Sequence, residues 1–525
     1  MPKYKNWFWL AALTAACAFD VLFWKKPTGI SFVIWTAILL DIGYLLAWRE
    51  GKRPAKASML IALMVLFFAF VPGWRNEPFT KAFSVLLAFA GMILLTATFL
   101  NGHWFYYRIW DFLTKMILAV VGGVSRAILL LSKNSNPTDE NSPTKKSFWK
   151  KMLPVLRGVL IALPIVSLMA ILLSSADPVF GDWLKRILDL EKLPETLFRV
   201  FYITIIGGFL VGIYLHAIVT VRPEKRPDPQ KAWMKPFLGW TETAIILGLV
   251  DVLFVAFVFI QIRYLFGGTV NINETGYTFS EYARRGFGEL VAVAVLSMLL
   301  YLGLNTISKR ENRFAKVGFS AVSILLLANV LVILSSSLQR LMLYENAYGF
   351  SQLRTYTHVF IYYLAGLILV TIVLDVIRKR GHFALVLLIC IVGFGATLPI
   401  MNVDRFIAQK NIQRAVSGED LDVQYLNSLS IDSVPVSLDQ YLNGKLPTSV
   451  EVALGYSLSC RAALTDDATR IPWQGFNIGG WNGYGLLHEN PQIRSEYKVY
   501  QTSDLVWSYR LNGKEIPCLG PYLMD

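Results

Sequence analysis

Residues 240–266 read WTETAIILGLVDVLFVAFVFIQIRYLF, and this stretch decides the class of the chain. Between Ala244 and Ile260 a single charge, Asp251, interrupts an otherwise apolar run. With its flanks the run reaches the roughly 20 residues a helix needs to cross about 30 Å of hydrocarbon. Outward from it, comparable runs lie near 7–24, 28–48, 57–74, 82–102, 152–175, 197–220, 287–305, 317–338, 355–377 and 382–401. Together they predict eleven membrane-spanning helices. Composition agrees, because 55% of the 525 residues are hydrophobic and 16% charged, where a soluble domain is about 25% charged. Soluble-enzyme classes drop out. The expected fold is an all-α polytopic membrane protein.

Charge supplies an address. The formal net charge is +14, yet residues 403–525 hold 10 Lys+Arg against 14 Asp+Glu. The positive charge lies in short connections rather than in a concentrated footprint, which excludes nucleic acid as the expected partner. Alternate connections, beginning with Lys3 and Lys5 and ending at Arg378–Arg380, carry 26 basic groups, and the opposite ones carry 11. Basic loops stay cytoplasmic, so the sequence predicts a cytoplasmic N-terminus and an extracytoplasmic C-terminal region. The start, with Lys3, Lys5 and Thr14-Ala-Ala-Cys17, reads as an uncleaved anchor.

Residues 105–131 are apolar but repeat Arg108, Asp111, Lys115 and Arg126 along one stripe, as in a helix lying in the interface. The expected organisation is a four-helix membrane part over 1–104, then an interfacial helix and flexible cytoplasmic loop over 105–151. A seven-helix membrane core follows over 152–402, and a small α+β module, outside the cytosol, over 403–525. In that module, 404–416 and 449–464 have helical periodicity, and Asn512-Gly513 between strand-like arms predicts a hairpin. Cys460 and Cys518 can pair in an oxidising compartment; two buried free thiols are the alternative.

Chemistry is harder to find. His-Glu-x-x-His, Cys-x-x-Cys and phosphate-loop patterns are absent from the sequence, and the five histidines are scattered. No catalytic residue, metal ligand or cofactor is predicted. Gly479-Gly-Trp-Asn-Gly-Tyr-Gly reads as a loop, and Gly208-Phe-Leu-Val-Gly212 as a site of close helix packing. Asp41, Asp251 and Asn329 fall inside spans, where a charge is costly; they are either a protonatable pathway or hydrogen-bonded glue between helices. The outward loops gather Asp177, then Glu281, Arg284 and Arg285, then Arg340, Tyr344, Glu345, Tyr348 and Arg354. Arginine forks suit carboxylate or phosphate. These groups either pair with each other and lock the loops, or bind an anionic ligand such as a lipid headgroup or envelope precursor.

Several of these stretches carry a resemblance. Ser175-Ala-Asp-Pro-Val-Phe, Gln261-Ile-Arg-Tyr-Leu-Phe-Gly-Gly and Tyr282-Ala-Arg-Arg-Gly-Phe-Gly-Glu-Leu look like signatures of a bacterial membrane family, as do Ala347-Tyr-Gly with Leu353-Arg354 and Asn402-Val-Asp-Arg-Phe-Ile-Ala-Gln-Lys-Asn-Ile. Over about 150–435 the chain resembles the domain-of-unknown-function family numbered four-one-seven-three. Val403 stands where Asn-Pro-Asp would be expected, which loosens the picture of a rigid turn after the last span. The resemblance implies a bacterial multi-span protein of the cytoplasmic membrane and brings no activity, substrate or catalytic residue.

The expectation is therefore a non-enzymatic envelope sensor or assembly scaffold, with the bilayer and an envelope protein or lipid headgroup as partners. The alternatives are a proton-coupled transporter or lipid flippase using Asp251 and Asp41, and a membrane-embedded transferase with Asp177, Glu281 or Glu345 as base on a lipid-linked substrate.

Overall fold

The computed structural model describes residues 2–132, 195–220, 234–265, 287–464, 471–502, 506–511 and 514–518, with isolated positions between 162 and 180 and at 227–228. Among them ten helices are long and apolar enough to cross a membrane, and the chain is an all-α multi-pass membrane protein. The expected eleventh span, 152–175, lies largely outside the described residues.

Four spans come first: α1 (Lys5–Phe23), α2 (Ile30–Arg49), α3 (Lys56–Trp74) and α4 (Pro78–Thr98). Next is α5 (Ile109–Ser132), helical over the segment expected to lie in the interface, its Arg108 and Asp111 ion-paired at 3.0 Å. The later spans are α6 (Glu195–Leu215), α7 (Trp240–Leu265), α8 (Phe287–Ile307), α9 (Arg313–Tyr348), α10 (Gln352–Val376) and α11 (Phe383–Met401). Two apolar cores hold them together. One unites α1–α4 with α6, and the other α7–α10. Helix α11 stands between the cores, turning Leu385, Leu388, Val392 and Ala396 to the first and Val386, Leu387 and Cys390 to the second. That three- and four-residue spacing is what a helix needs to serve two neighbours.

Small residues and ion pairs set the closest approaches. Gly212 of α6 lies directly on the Gly123 backbone of α5, while Gly208 borders open space, so the first half of the Gly-x-x-x-Gly is not used in packing. Arg199 of α6 pairs with Asp20 of α1, and Tyr202 donates to the same carboxylate.

Helix ends define two faces. On the basic face the amides of Lys3 and Tyr4 donate to Glu50 at 3.1 Å, and the Ala55 amide to the Phe99 carbonyl at 2.9 Å. On the opposite face Trp24 and Lys25 meet Glu195, and α3, α4, α10 and α11 end beneath the C-terminal module.

That module contains α12 (Val403–Val416), α13 (Val423–Ser428), α14 (Val434–Asn443), α15 (Thr448–Leu464), α16 (Ile478–Glu489) and α17 (Gln492–Glu496). A three-stranded antiparallel sheet follows, in the order β1 (Tyr500–Gln501), β2 (Trp507–Leu511), β3 (Lys514–Pro517). Leu511 pairs with Lys514 across the Asn-Gly dipeptide, and a disulfide joins Cys460 to Cys518. The module core, with Ile407, Ile412 and Leu454, is continuous with Val359 of α10 and Leu398 of α11.

Three local expectations are corrected. The run 479–485 is helix α16, not a loop. Its glycines permit close packing, because a Cβ at Gly479 would collide with Asp432 and one at Gly483 would meet the Ile431 carbonyl at 2.9 Å. Residues 340–348, expected as a loop, prolong α9 to 36 residues; the polar turn is stable because its side chains find partners, and the helix stops only at Gly349, whose φ is +79°. The turn leaving α11 needs no proline, since Asn402 itself adopts the left-handed conformation (φ 55°) and its side chain caps α12.

Candidate functional site

The densest set of buried polar groups lies where the module meets the membrane helices. Its floor is the α3–α4 turn. Glu77 is the N-cap of α4, accepting from the amides of Phe79 and Thr80 at 2.8 and 2.7 Å, as capping requires. Its carboxylate also accepts from the Tyr356 hydroxyl of α10 at 2.7 Å. The Arg75 Nε donates to the Pro399 carbonyl at 2.7 Å, a last-turn carbonyl of α11 that has no intrahelical donor.

The module answers with two acids and one arginine. Asp432 accepts from the Asn76 amide at 2.6 Å, and its other oxygen has no hydrogen-bond partner among the described residues. Asp404, in the first turn of α12, accepts from the Ser430 amide at 2.6 Å and from Gln352 Nε2 at 2.7 Å. Arg461 is buried and donates to the carbonyls of Leu426, Leu429 and Ser430 at 2.7, 2.5 and 3.1 Å. It thus gathers the carbonyls at the end of α13, which no intrahelical donor reaches.

Burial governs the protonation of this seat. It pushes Glu77 above its ordinary value, against hydrogen bonds from Thr80 and Tyr356. It pushes Asp432 up in the same way, opposed by the Asn76 amide and the Arg75 charge. Burial also lowers Arg75, and takes Arg461 down to about 10. Loss of water thus disfavours the charges of Glu77, Asp432, Arg75 and Arg461.

The outward residues singled out by sequence form a separate corner. Arg340 is buried, and its Nη2 donates to Gln261 Oε1 at 3.0 Å. Glu345, also buried, faces His358 Nδ1 at 3.3 Å. Arg354 donates to the carbonyls of Tyr348 and Gly349 and lies over the Tyr344 ring, 4.0 Å from its centre. Tyr348, 54% exposed, packs edge-on against Tyr344. Asp177 accepts from the Val179 amide at 2.8 Å. Glu281, Arg284 and Arg285 lie outside the described residues. The corner therefore brings Arg340, Tyr344, Glu345, Tyr348 and Arg354 onto two helices, and bonds them largely to their own surroundings.

The intramembrane polar residues separate. Asp251 is buried beside Asn329, and among the described residues its carboxylate oxygens and the Asn329 Nδ2 have no partner in hydrogen-bond geometry. Asp41 lies exposed on α2, in the other bundle. Sequence reasoning missed Arg75, Glu77, Asp432 and Arg461. Asp404 alone had a signal, standing inside the Asn402-Val-Asp-Arg motif.

A family model described as Domain of unknown function (DUF4153) matches residues 57–440, and the chain belongs to that family. The number differs from the four-one-seven-three of the sequence resemblance; what the match supports is a family without an assigned activity, over a stretch that includes the floor of the seat and both its acids. No curated protein and no solved structure matches the chain.

Proposed function

We propose that this member of a family of unknown activity is a non-enzymatic envelope protein, a sensor or assembly scaffold. It holds its C-terminal module as a fixed recognition head on the extracytoplasmic side of a bacterial cytoplasmic membrane. The observation that carries the reading is the seat: Glu77, Asp404, Asp432 and Arg461 are buried, and they bind the module to the ends of α3, α4 and α10 or hold it together. A module so attached keeps one orientation relative to the membrane. Its sidedness is supported by the 26 basic groups that the sequence gathers in alternate connections, and the Cys460–Cys518 bridge suits an oxidising compartment. The partner is an envelope protein or a lipid headgroup.

The test uses a Cys17→Ser, Cys390→Ser background in intact cells. A cysteine at Trp473 should react with an impermeant maleimide, and one at Arg53 only after the cells are opened. A photo-cross-linker at exposed module positions should give a discrete adduct. Labelling of Trp473→Cys only in broken cells would sink the reading, as would the lack of any discrete adduct across the module.

A second reading, a proton-coupled transporter or lipid flippase, has one observation in its favour: the buried Asp251 carboxylate beside Asn329, without a partner in hydrogen-bond geometry among the described residues. In proteoliposomes, Asp251→Asn should then abolish proton-coupled flux; unchanged flux removes Asp251 from that mechanism.

A further inference from the structure

We propose that a slot between the outer ends of α1–α4 binds one phospholipid of the surrounding leaflet, with its acyl chain among aromatic rings and its phosphate at Lys81. The slot is a cavity of about 520 Å³ walled by Phe19 and Phe23, by Phe32 and Trp35, and by Phe89, with Lys81 as its single charged lining residue. That volume falls within the roughly 300–1,000 Å³ of ligand sites. Along α4 the lining runs from Pro78 at the rim to Phe89. Eleven residues of helix cover about 16 Å, close to half of a ~30 Å hydrocarbon layer. The depth is that of one leaflet.

Lys81 stands one turn inside the rim, near the level of the phosphates. Its Nζ donates to Asn76 Oδ1 at 2.8 Å, and an ammonium has three protons to give. Asp432 and Glu77 lie within electrostatic reach of it, but neither bonds to it. An anionic oxygen can therefore take the remaining donors without displacing a side chain. Above the rim the module adds surface of matching character. Gly475 packs on Pro27, the Ile30 amide donates to the Phe476 carbonyl at 2.9 Å, and the neighbouring Trp473 and Trp481 are 57% and 69% exposed. Exposed tryptophans at the ends of spans suit the headgroup layer. The lipid reads as an apolar chain with one phosphate.

This names a ligand class for the face assigned above to recognition. It is tested on purified protein, where sidedness plays no part, so the two readings fail separately. Native mass spectrometry of the full chain in detergent, with phosphatidylglycerol and a diacylglycerol of the same chains, reads the retained lipid. The unaltered chain should retain phosphatidylglycerol about tenfold better, as a charge-assisted hydrogen bond allows. Lys81→Gln, and Ala82→Trp, which fills the slot, should each reduce retention about tenfold. Leu86→Trp, on α4 but outside the slot, should not. Equal retention of the two lipids by the unaltered chain overturns the proposal, and so does undiminished retention by either slot variant. If a variant does not fold, the two-lipid comparison decides.

Discussion

The corner at the top of α9 and α10 and the seat beneath the module lie at the same face and are built of the same residue types, but they bond on different scales. At the corner, Arg354 reaches a carbonyl 5 residues away, Glu345 a histidine 13 away and Arg340 a glutamine 79 away on α7. In the seat, Asp432 binds an amide 356 residues distant and Arg75 a carbonyl 324 distant. Short-range bonds stiffen a helix pair that would form in any case. Long-range bonds determine where a separate part of the chain comes to rest. The charges most conspicuous in the sequence thus tie membrane helices to one another, and the attachment of the module falls to residues that no motif marks, apart from Asp404.

The largest break in that comparison should come from Arg461→Met. It strands four buried carbonyl acceptors, those of Leu426, Asn427, Leu429 and Ser430, a loss of about 3 kcal/mol, read as earlier thermal unfolding and faster hydrogen exchange over 403–464. Next comes pH. Folding raises Glu77 and Asp432 above their ordinary 4.5 and 3.8. Their stabilising effect is full below those values and is lost as pH rises through the raised ones. Exchange protection at the seat should therefore fall as pH rises above about 4. Asp432→Asn should flatten part of that fall, and an unchanged slope would remove Asp432 as a cause. The smallest effect belongs to the corner. Arg354→Ala forfeits a half-solvated contact with Tyr344 and should cost about 1 kcal/mol or less, with no change in exchange at the seat. A loosened seat in that variant would erase the distinction between the two regions.

The spans were legible because lipid imposes a length and a composition that few other environments demand. The reading became poor where polar residues are kept in helices by partners distant in sequence. Gln339, Arg340 and Glu345 look like the start of a loop until Gln261 and His358 stand beside the last two. The glycines of 479–485 look like breakers until Asp432 and Ile431 press against the helix. The C-terminal hairpin was readable because its signal is confined to a few adjacent residues. Glu77 and Asp432 could not be found this way, since a lone acid beside a span ordinarily faces water. The intramembrane pair divides the same way: Asn329 and Asp251 were visible as polar interruptions, but that Asp41 belongs to another bundle depends on how the helices assemble.

Helix α9 has 36 residues, about 54 Å of rod, and so outruns a ~30 Å hydrocarbon layer by about 24 Å. Its foot stands among Arg310, Arg313 and Lys316 on one side, and its tip is clasped on the other by Arg414 of the module, bonded to the Asn346 carbonyl at 2.8 Å. A stiff mast footed and clasped in this way is a lever. Each degree of tilt at the foot would displace the tip by about 1 Å.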